Sequence, residues 1–298
     1  MRVKLGDVCE RGTSNLKLSD VSEKNGEFSV FGASGYIGSV DFYQQGYPYV
    51  AVVKDGAGIG RAMLCPGKTS VIGTMQYLLP KDNILPKYLF YVVKYMNLEK
   101  YFTGATIPHI YFKDYKNEEF NFDFWERQVE IVSVLSKCEK VIDLCKQELQ
   151  LLDKLIKARF VELFGDPVSN SYGLPEATLP DLGEFGRGVS KHRPRNDIKL
   201  LGGKYPLIQT GDVANAGLYI TSYSSTYSEL GLKQSKMWDK GTLCITIAAN
   251  IAKTAILEFD ACFPDSVVGF IANERTNNIF VHYWFSFFQA ILESQAPE

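Results

Sequence analysis

Gln128-Val129-Glu130-Ile131-Val132-Ser133-Val134-Leu135-Ser136-Lys137-Cys138 opens the stretch that decides the architecture, because its core spacing does not stop there. Gln128, Ile131, Leu135, Cys138, Ile142, Cys145, Leu149, Leu152, Ile156, Arg159 and Leu163 follow one another in alternating steps of three and four. A sustained 3.5-residue period marks a coiled-coil-type helix, whose stripe seeks a partner helix instead of a globular core. The charges around the stripe balance, seven basic against seven acidic between Glu126 and Glu162, as on a solvated helix surface. Gly165 and Pro167 end the helix. From Glu126 to Phe164 it would be a rod of roughly 58 Å. The reading is therefore a spacer helix, 126–165, between two globular units, 1–125 and 166–298.

The chain has 298 residues and is 46% hydrophobic, enough apolar material for two compact domains besides the rod. The formal net charge of −2 gives no bulk attraction to nucleic acid, so any such binding must come from local clusters or a basic partner. The six cysteines (9, 65, 138, 145, 244, 262) form no CxxC pair and read as reduced core residues of a cytosolic protein. The N-terminus has no apolar signal core. The longest apolar run, Ile279 to Leu292, is too short to span a bilayer.

The two flanking units repeat an order of elements. In the first, a buried strand Tyr49–Val53 leads into the loop Lys54-Asp55-Gly56-Ala57-Gly58-Ile59-Gly60-Arg61. A strand over Ser70–Leu79 follows, then a helix over Lys87–Glu99 packed through Tyr88, Leu89, Tyr91, Val92 and Tyr95. In the second, the strand Thr242–Ile247 runs into Ala248-Ala249-Asn250-Ile251-Ala252-Lys253. Ser266–Ile271 matches the pattern of Val71-Ile72-Gly73, and the aromatic stretch Phe280–Leu292 stands where the first unit has its helix. Leu5-Gly6-Asp7-Val8 likewise corresponds to Leu179-Pro180-Asp181-Leu182. This is a duplication of domain size, with longer loops in the second copy.

Several motifs resolve against a catalytic or cofactor role. Gly56-Ala57-Gly58-Ile59-Gly60 follows a strand, but the dinucleotide fingerprint needs a further glycine where Arg61 stands, and a strand-like segment comes next. A tight loop and a phosphate-approaching loop flanked by Lys54 and Arg61 both remain open. Gly67-Lys68-Thr69 lacks the first P-loop glycine, since position 62 is alanine. Pro180-Asp181 with Asp197-Ile198-Lys199 only superficially matches a nuclease pattern, because its second half lies in a basic loop. There is no Asn/Asp-Pro-Pro-aromatic methyltransferase motif, and the three histidines (109, 192, 282) lack metal-ligand spacing. Arg187, Lys191, Arg193, Arg195 and Lys199, with His192, form the densest basic cluster, opposed only by Asp197. Gly186, Gly188 and Pro194 place it on a loop, either solvated or touching phosphates and bases.

The chain resembles the specificity subunit of type I restriction–modification systems. The resembling stretches are Phe31-Gly32-Ala33-Ser34-Gly35-Tyr36-Ile37-Gly38, Thr103-Gly104-Ala105-Thr106-Ile107-Pro108-His109-Ile110, the helix entry Phe122-Asp123-Phe124-Trp125-Glu126-Arg127-Gln128, and Tyr205-Pro206-Leu207-Ile208-Gln209-Thr210-Gly211-Asp212-Val213. The likeness covers nearly the whole chain. It implies an α/β (α+β) protein in which two mixed α/β target-recognition domains are joined by one long coiled-coil-type helix. The implied role is non-catalytic, each domain reading one half of a bipartite duplex DNA target. A rod of roughly 58 Å would span about 17 base pairs and set the half-site spacing. The implied partners are methyltransferase subunits, which carry S-adenosylmethionine, and a restriction subunit, in a prokaryotic cytoplasm and with no membrane. No cofactor is expected in this chain.

The candidate DNA contacts are Lys54, Arg61, Gln76 and His109 in the first unit, His109 being either a structural turn residue or a contact. In the second they are Arg187, Lys191, Arg193, Arg195, Gln209, Asn250 and Lys253. The chain departs from the family in stopping at Gln295-Ala296-Pro297-Glu298, before an expected second helix, as a shortened gene product, an alternative allele or an engineered fragment would. The seam residues Ile131, Leu135, Cys138, Ile142, Cys145, Leu149, Leu152, Ile156 and Leu163 then need another partner, whether a second copy, a separate fragment or methyltransferase subunits. The other class of function is a coiled-coil assembly or interaction factor that does not read DNA.

Overall fold

The structure is a computed structural model that describes residues 1–22, 26–104 and 108–295. Ala105–Ile107 of the family-like stretch and the terminal Ala296–Glu298 lie outside the described residues. The chain divides into two compact units, Met1–Lys146 and Gln147–Glu298.

The first unit runs β1 (Arg2–Lys4), α1 (Leu5–Val8), β2 (Cys9–Thr13), α2 (Leu18–Ser22), β3 (Phe28–Gly32), β4 (Gly35–Val40), β5 (Tyr49–Val53), β6 (Ala62–Cys65), β7 (Ser70–Val71), β8 (Met75–Pro80), α3 (Pro86–Met96), α4 (Phe112–Tyr115), β9 (Glu119–Asn121) and the start of α5 (Trp125–Phe164). Its main sheet has the order β2-β8-β5-β6, all antiparallel, and a smaller one the order β4-β3-β7 with β3 and β7 parallel. Every residue of β5 is buried, as its unbroken Tyr-Val-Ala-Val-Val run demands of a central strand. The expected strand over 70–79 is in fact two strands. At Ile72-Gly73-Thr74 the chain crosses from the small sheet to the large one, and the Gly73 N–H donates to the Leu16 carbonyl at 2.7 Å. Helix α3 packs through Tyr88, Leu89, Val93 and Met96, whereas Tyr95, expected inside, is 90% exposed on its outer face.

The second unit takes the end of α5 and continues α6 (Leu179–Leu182), β10 (Gly183–Arg187), β11 (Leu201–Leu207), α7 (Thr210–Asn215), β12 (Tyr219–Ile220), β13 (Ser225–Tyr227), α8 (Glu229–Lys233), β14 (Met237–Trp238), β15 (Leu243–Thr246), β16 (Thr254–Leu257), β17 (Ala261–Cys262), β18 (Val267–Ala272) and α9 (Asn278–Gln295). Its large sheet has the order β10-β18-β15-β16-β12 and its smaller one β13-β11-β17-β14. Dropping the edge strands β12 and β14 leaves the order of the first unit, including the parallel pairing of β11 with β17. The duplication read from sequence is thus a duplication of sheet topology. The additions α7, α8, β12 and β14 account for the longer loops of the second copy.

Helix α5 is unbroken over 40 residues. In the first unit its opening turn is fixed by Gln128, which is 0% exposed. The Gln128 side chain accepts from the Leu85 N–H at 2.9 Å and donates to the carbonyls of Asn83 (3.1 Å) and Asp123 (2.9 Å). Ile131 and Val132 then pack on the first unit's core. Tyr91 on α3 donates to Glu139 at 2.7 Å, and this bond, with Lys87 close by at 3.3 Å, holds the Glu139 carboxyl below the usual range. In the second unit the closing turns bury Phe160, whose ring lies 5.3 Å from both Phe280 and Phe287 of α9. Gly165 ends the helix in the left-handed region (φ 78°), donating back to the Val161 carbonyl at 2.8 Å; a side chain there would strike Tyr172.

Between these ends the seam is open. Leu135, Cys138, Ile142, Cys145, Leu149, Leu152, Ile156 and Leu163 are all exposed. Ile131 is the exception and a correction: it is half-buried and packs against the first unit's core, so it is not an open seam position like the others. Cys138 and Cys145 are likewise not core residues, in contrast to the buried Cys9, Cys65, Cys244 and Cys262. Burial pushes the Cys9 thiol up to about 12 and that of Cys65 to about 11. Among the described residues no helix is long and apolar enough to cross a membrane.

Candidate nucleic-acid interface

Both units close β-strands with a loop of the same build. In the first, the loop between β5 and β6 is sealed by Gly60 N–H to the Val53 carbonyl (2.9 Å) and Val53 N–H to the Arg61 carbonyl (3.0 Å). In the second, the loop between β15 and β16 is sealed by Ala252 N–H to the Thr246 carbonyl and Thr246 N–H to the Lys253 carbonyl, both 2.9 Å. Arg61 and Lys253 therefore hold the same place. The first loop makes its left-handed turns with Gly56, Gly58 and Gly60 (φ 85°, 81°, 77°). The second makes them with Ala249, Asn250 and Ala252 (φ 47°, 53°, 60°), which carry side chains. Such residues cost on the order of 1–3 kcal/mol each and are held only where the surroundings over-determine them, a pattern that concentrates at functional sites.

In the first loop Asp55 draws Lys54 and His109 together. One carboxylate oxygen lies 3.2 Å from Lys54 Nζ and the other 2.7 Å from His109 Nδ1, while the His109 ring stacks near Tyr111 at 6.3 Å. His109 is fixed through its backbone too, exchanging two 2.8 Å bonds with Thr103. Arg61 is exposed, with Nη1 donating to the Ala33 carbonyl at 3.3 Å. Gln76 does not join them. It is 2% exposed on the central strand β8 and donates to the Tyr115 hydroxyl inside the core, so it presents nothing to a ligand.

In the second unit the basic cluster gathers on a turn that its sequence did not mark. Arg187 closes strand β10, so it is not a loop residue as expected, and its Nε donates to the backbone carbonyl of Asp265. Gly188 and Val189 donate to the carbonyls of Val267 (2.8 Å) and Phe263 (3.2 Å). A side chain at Gly188 would collide with the Phe263 and Pro264 carbonyls, which is why glycine stands there. The Asp265 carboxylate takes Arg193 Nη2 on one oxygen at 3.3 Å and Arg195 Nη2 on the other. Asp197 is therefore not the cluster's only counter-charge. It faces His192 at 3.2 Å, and the Lys199 N–H it accepts, followed by His192, holds its carboxyl below the ordinary value. The strained loop meets the same turn, since the Ile247 N–H donates to the Ser266 carbonyl at 3.0 Å.

Arg187, Arg193 and Arg195 thus converge on Asp265, and the backbone of the loop bearing Asn250 and Lys253 meets the same turn at Ser266. Lys191 and Lys199 are exposed and form no ion pair among the described residues. Gln209 stands apart from that turn, preceding α7, with its side chain donating to Ser225 at 3.2 Å. Beneath the basic loop, Ser190 Oγ, Gln234 Nε2 and Trp238 Nε1 are buried without a hydrogen-bond partner among the described residues. The loop's root is therefore held by its backbone and its tip by Asp265.

The residues sequence reasoning missed are the acids Asp55 and Asp265, each bridging two basic side chains. A carboxylate next to a lysine was visible for Asp55. Asp265 lies 70 residues from Arg195 and left no local signal. Among the described residues no group of three His, Cys, Asp or Glu could hold a metal ion.

Residues 1–154 and 176–296 match the family model described as the type I restriction modification DNA specificity domain. Two curated relatives come from Methanocaldococcus jannaschii. The type I restriction enzyme MjaIX specificity subunit is 26% identical over 179 residues, 54% of this chain and 40% of its own length. The putative type I restriction enzyme MjaX specificity subunit is 22% identical over 252 residues, 79% of this chain and 59% of its own. The chain thus spans about half the length of the curated relatives it matches. The fold is similar to the crystal structure of a type I restriction–modification S subunit from M. genitalium. The TM-score is 0.61 at 16% identity, covering 99% of this chain and 78% of that one.

Proposed function

The chain belongs to the type I restriction–modification DNA specificity family, and from that membership we propose that it is a non-catalytic DNA reader, each of its two units recognising one half of a bipartite target. The observation that carries this reading is the repeated sheet order with an equivalent loop in each unit, ended by Arg61 in one and Lys253 in the other. Positive side chains on loops rooted in rigid strands can neutralise phosphates and present planar donors to base edges. Lys54, Arg61 and His109 are the contacts we assign to the first half. Arg187, Lys191, Arg195, Asn250 and Lys253 are those for the second, with Gln209 at its margin.

The chemistry belongs to partners in a prokaryotic cytoplasm: methyltransferase subunits carrying S-adenosylmethionine, and a restriction subunit. Helix α5 is the spacer in this scheme, and its exposed seam from Leu135 to Leu163 is the surface for helix pairing. Selection of duplexes from a randomised pool, using the chain with its methyltransferase subunits, tests the proposal. The expected result is two specified blocks separated by a constant unspecified interval. Enrichment of one block alone, or of none, overturns the twin-reader assignment.

A further inference from the structure

We propose that Asp265 is the positioning residue of the second unit's reading loop, and that through it Arg195 is aimed as the sequence-discriminating side chain. The inference deepens the DNA-reading proposal and rests on it. The two arginines on Asp265 are not equivalent. Arg193 spends Nη1 on the carbonyls of Ser190 and His192 and Nη2 on Asp265, so it braces the loop onto itself. Among the described residues Arg195 is bound through Nη2 alone. That leaves Nη1, Nε and the second Nη2 hydrogen, and a planar fork on guanine or phosphate pairs this Nη2 hydrogen with one of the other two donors.

The carboxylate that aims Arg195 is itself immobilised. Asp265 sits in a turn whose neighbours are tied on three sides: Gly188 and Val189 bond to Val267 and Phe263, Arg187 to the Asp265 carbonyl, and Ile247 to the Ser266 carbonyl. The same turn thus seats the strained loop bearing Asn250 and Lys253. Asp265 also lowers the cluster's net charge by one, so it weakens indiscriminate attraction to phosphate while sharpening direction. The first unit meets the same requirement from another place in its fold, with Asp55 holding Lys54 and His109.

A side chain that only stabilised the loop would lower binding to every duplex when removed. A positioning acid gives opposite signs. In Asp265→Ala and the isosteric Asp265→Asn, discrimination at the second half-target should fall at least about tenfold. Affinity for unrelated duplex should rise, and the salt slope should steepen by about one released counterion. Arg195→Lys should lose the same discrimination, since an ammonium lacks the fork. Discrimination at the first half-target should be untouched in all three, and should fall instead in Asp55→Ala. The measurement is fluorescence anisotropy of the full chain in its methyltransferase complex, titrated with duplexes varied in one half at a time, at several salt concentrations. A wild-type chain that prefers its second half-target while both Asp265 variants keep that preference overturns the positioning role alone. A wild-type chain with no preference at either half overturns the DNA-reading proposal beneath it.

Discussion

A buried glutamine with its oxygen and both amide hydrogens engaged leaves its partners stranded when it is replaced. Gln128→Leu keeps the volume at the head of α5 but leaves the Leu85 N–H and the carbonyls of Asn83 and Asp123 without partners. The expected cost is about 1–3 kcal/mol. It should appear as faster hydrogen exchange in the peptides around Leu85 and Gln128, with those of the second unit unchanged; unaltered exchange would mean the amide is dispensable. His282 on α9 makes a second residue-scale prediction. Its Nδ1 lies 2.9 Å from the Thr254 hydroxyl, and burial pulls its pKa below the usual 6.5. A base depressed in this way takes protons more readily when unfolded. Its contribution to stability is therefore complete above about pH 6.5 and is lost as pH falls toward the lower folded value. Thermal melts should show the second unit weakening as pH falls below about 6.5, and His282→Gln should flatten that dependence. An equally steep dependence in the variant would assign the acid sensitivity to other groups.

At the scale of elements, α5 is both a packed helix and an open one. Its first turns are sealed by Gln128 and Ile131 and its last by Phe160, while the seam between them faces outward. Cys138 and Cys145, one heptad apart on that seam, report on whatever covers it. Maleimide should label them rapidly in the dilute chain and leave Cys9, Cys65, Cys244 and Cys262 slow, since the thiolate is the reactive form and the buried thiols are held protonated. Protection that grows with the chain's own concentration would identify a second copy as the partner. Protection that appears only with methyltransferase would identify that subunit, and none in either case would remove the seam as a pairing surface. The helix was legible in sequence because a 3.5-residue period repeats over many turns and needs no knowledge of the rest of the fold. The ends of its open face were not, because Ile131 obeys the same period while the surface it packs against is the first unit's core, assembled from distant parts of the chain. The break at Ile72-Gly73-Thr74 was missed for a related reason: the run reads as continuous apolar strand until the Leu16 carbonyl pins Gly73 between two sheets.

For the molecule as a whole, the duplication was legible as order and hidden as chemistry. Strand, loop, strand and helix recur at a drifting offset, and the common order β2-β8-β5-β6 and β10-β18-β15-β16 is what that recurrence builds. Acids that pair across the fold left no such trace, because the contact between Asp265 and Arg195 is made by tertiary closure. Two units with separate cores and separate basic loops should act on DNA as separate terms. Arg61→Ala should weaken binding by about 1–3 kcal/mol and relax the first half-target only, and Arg195→Ala should do the same for the second. With no shared hydrogen-bond partner between them, the double variant should lose the sum of the two within about 0.5 kcal/mol. Titrations of all four proteins at one fixed salt concentration measure the cycle. An interaction term above about 1 kcal/mol would mean that the halves are read by a coupled surface, and the loops could then no longer be treated as independent readers.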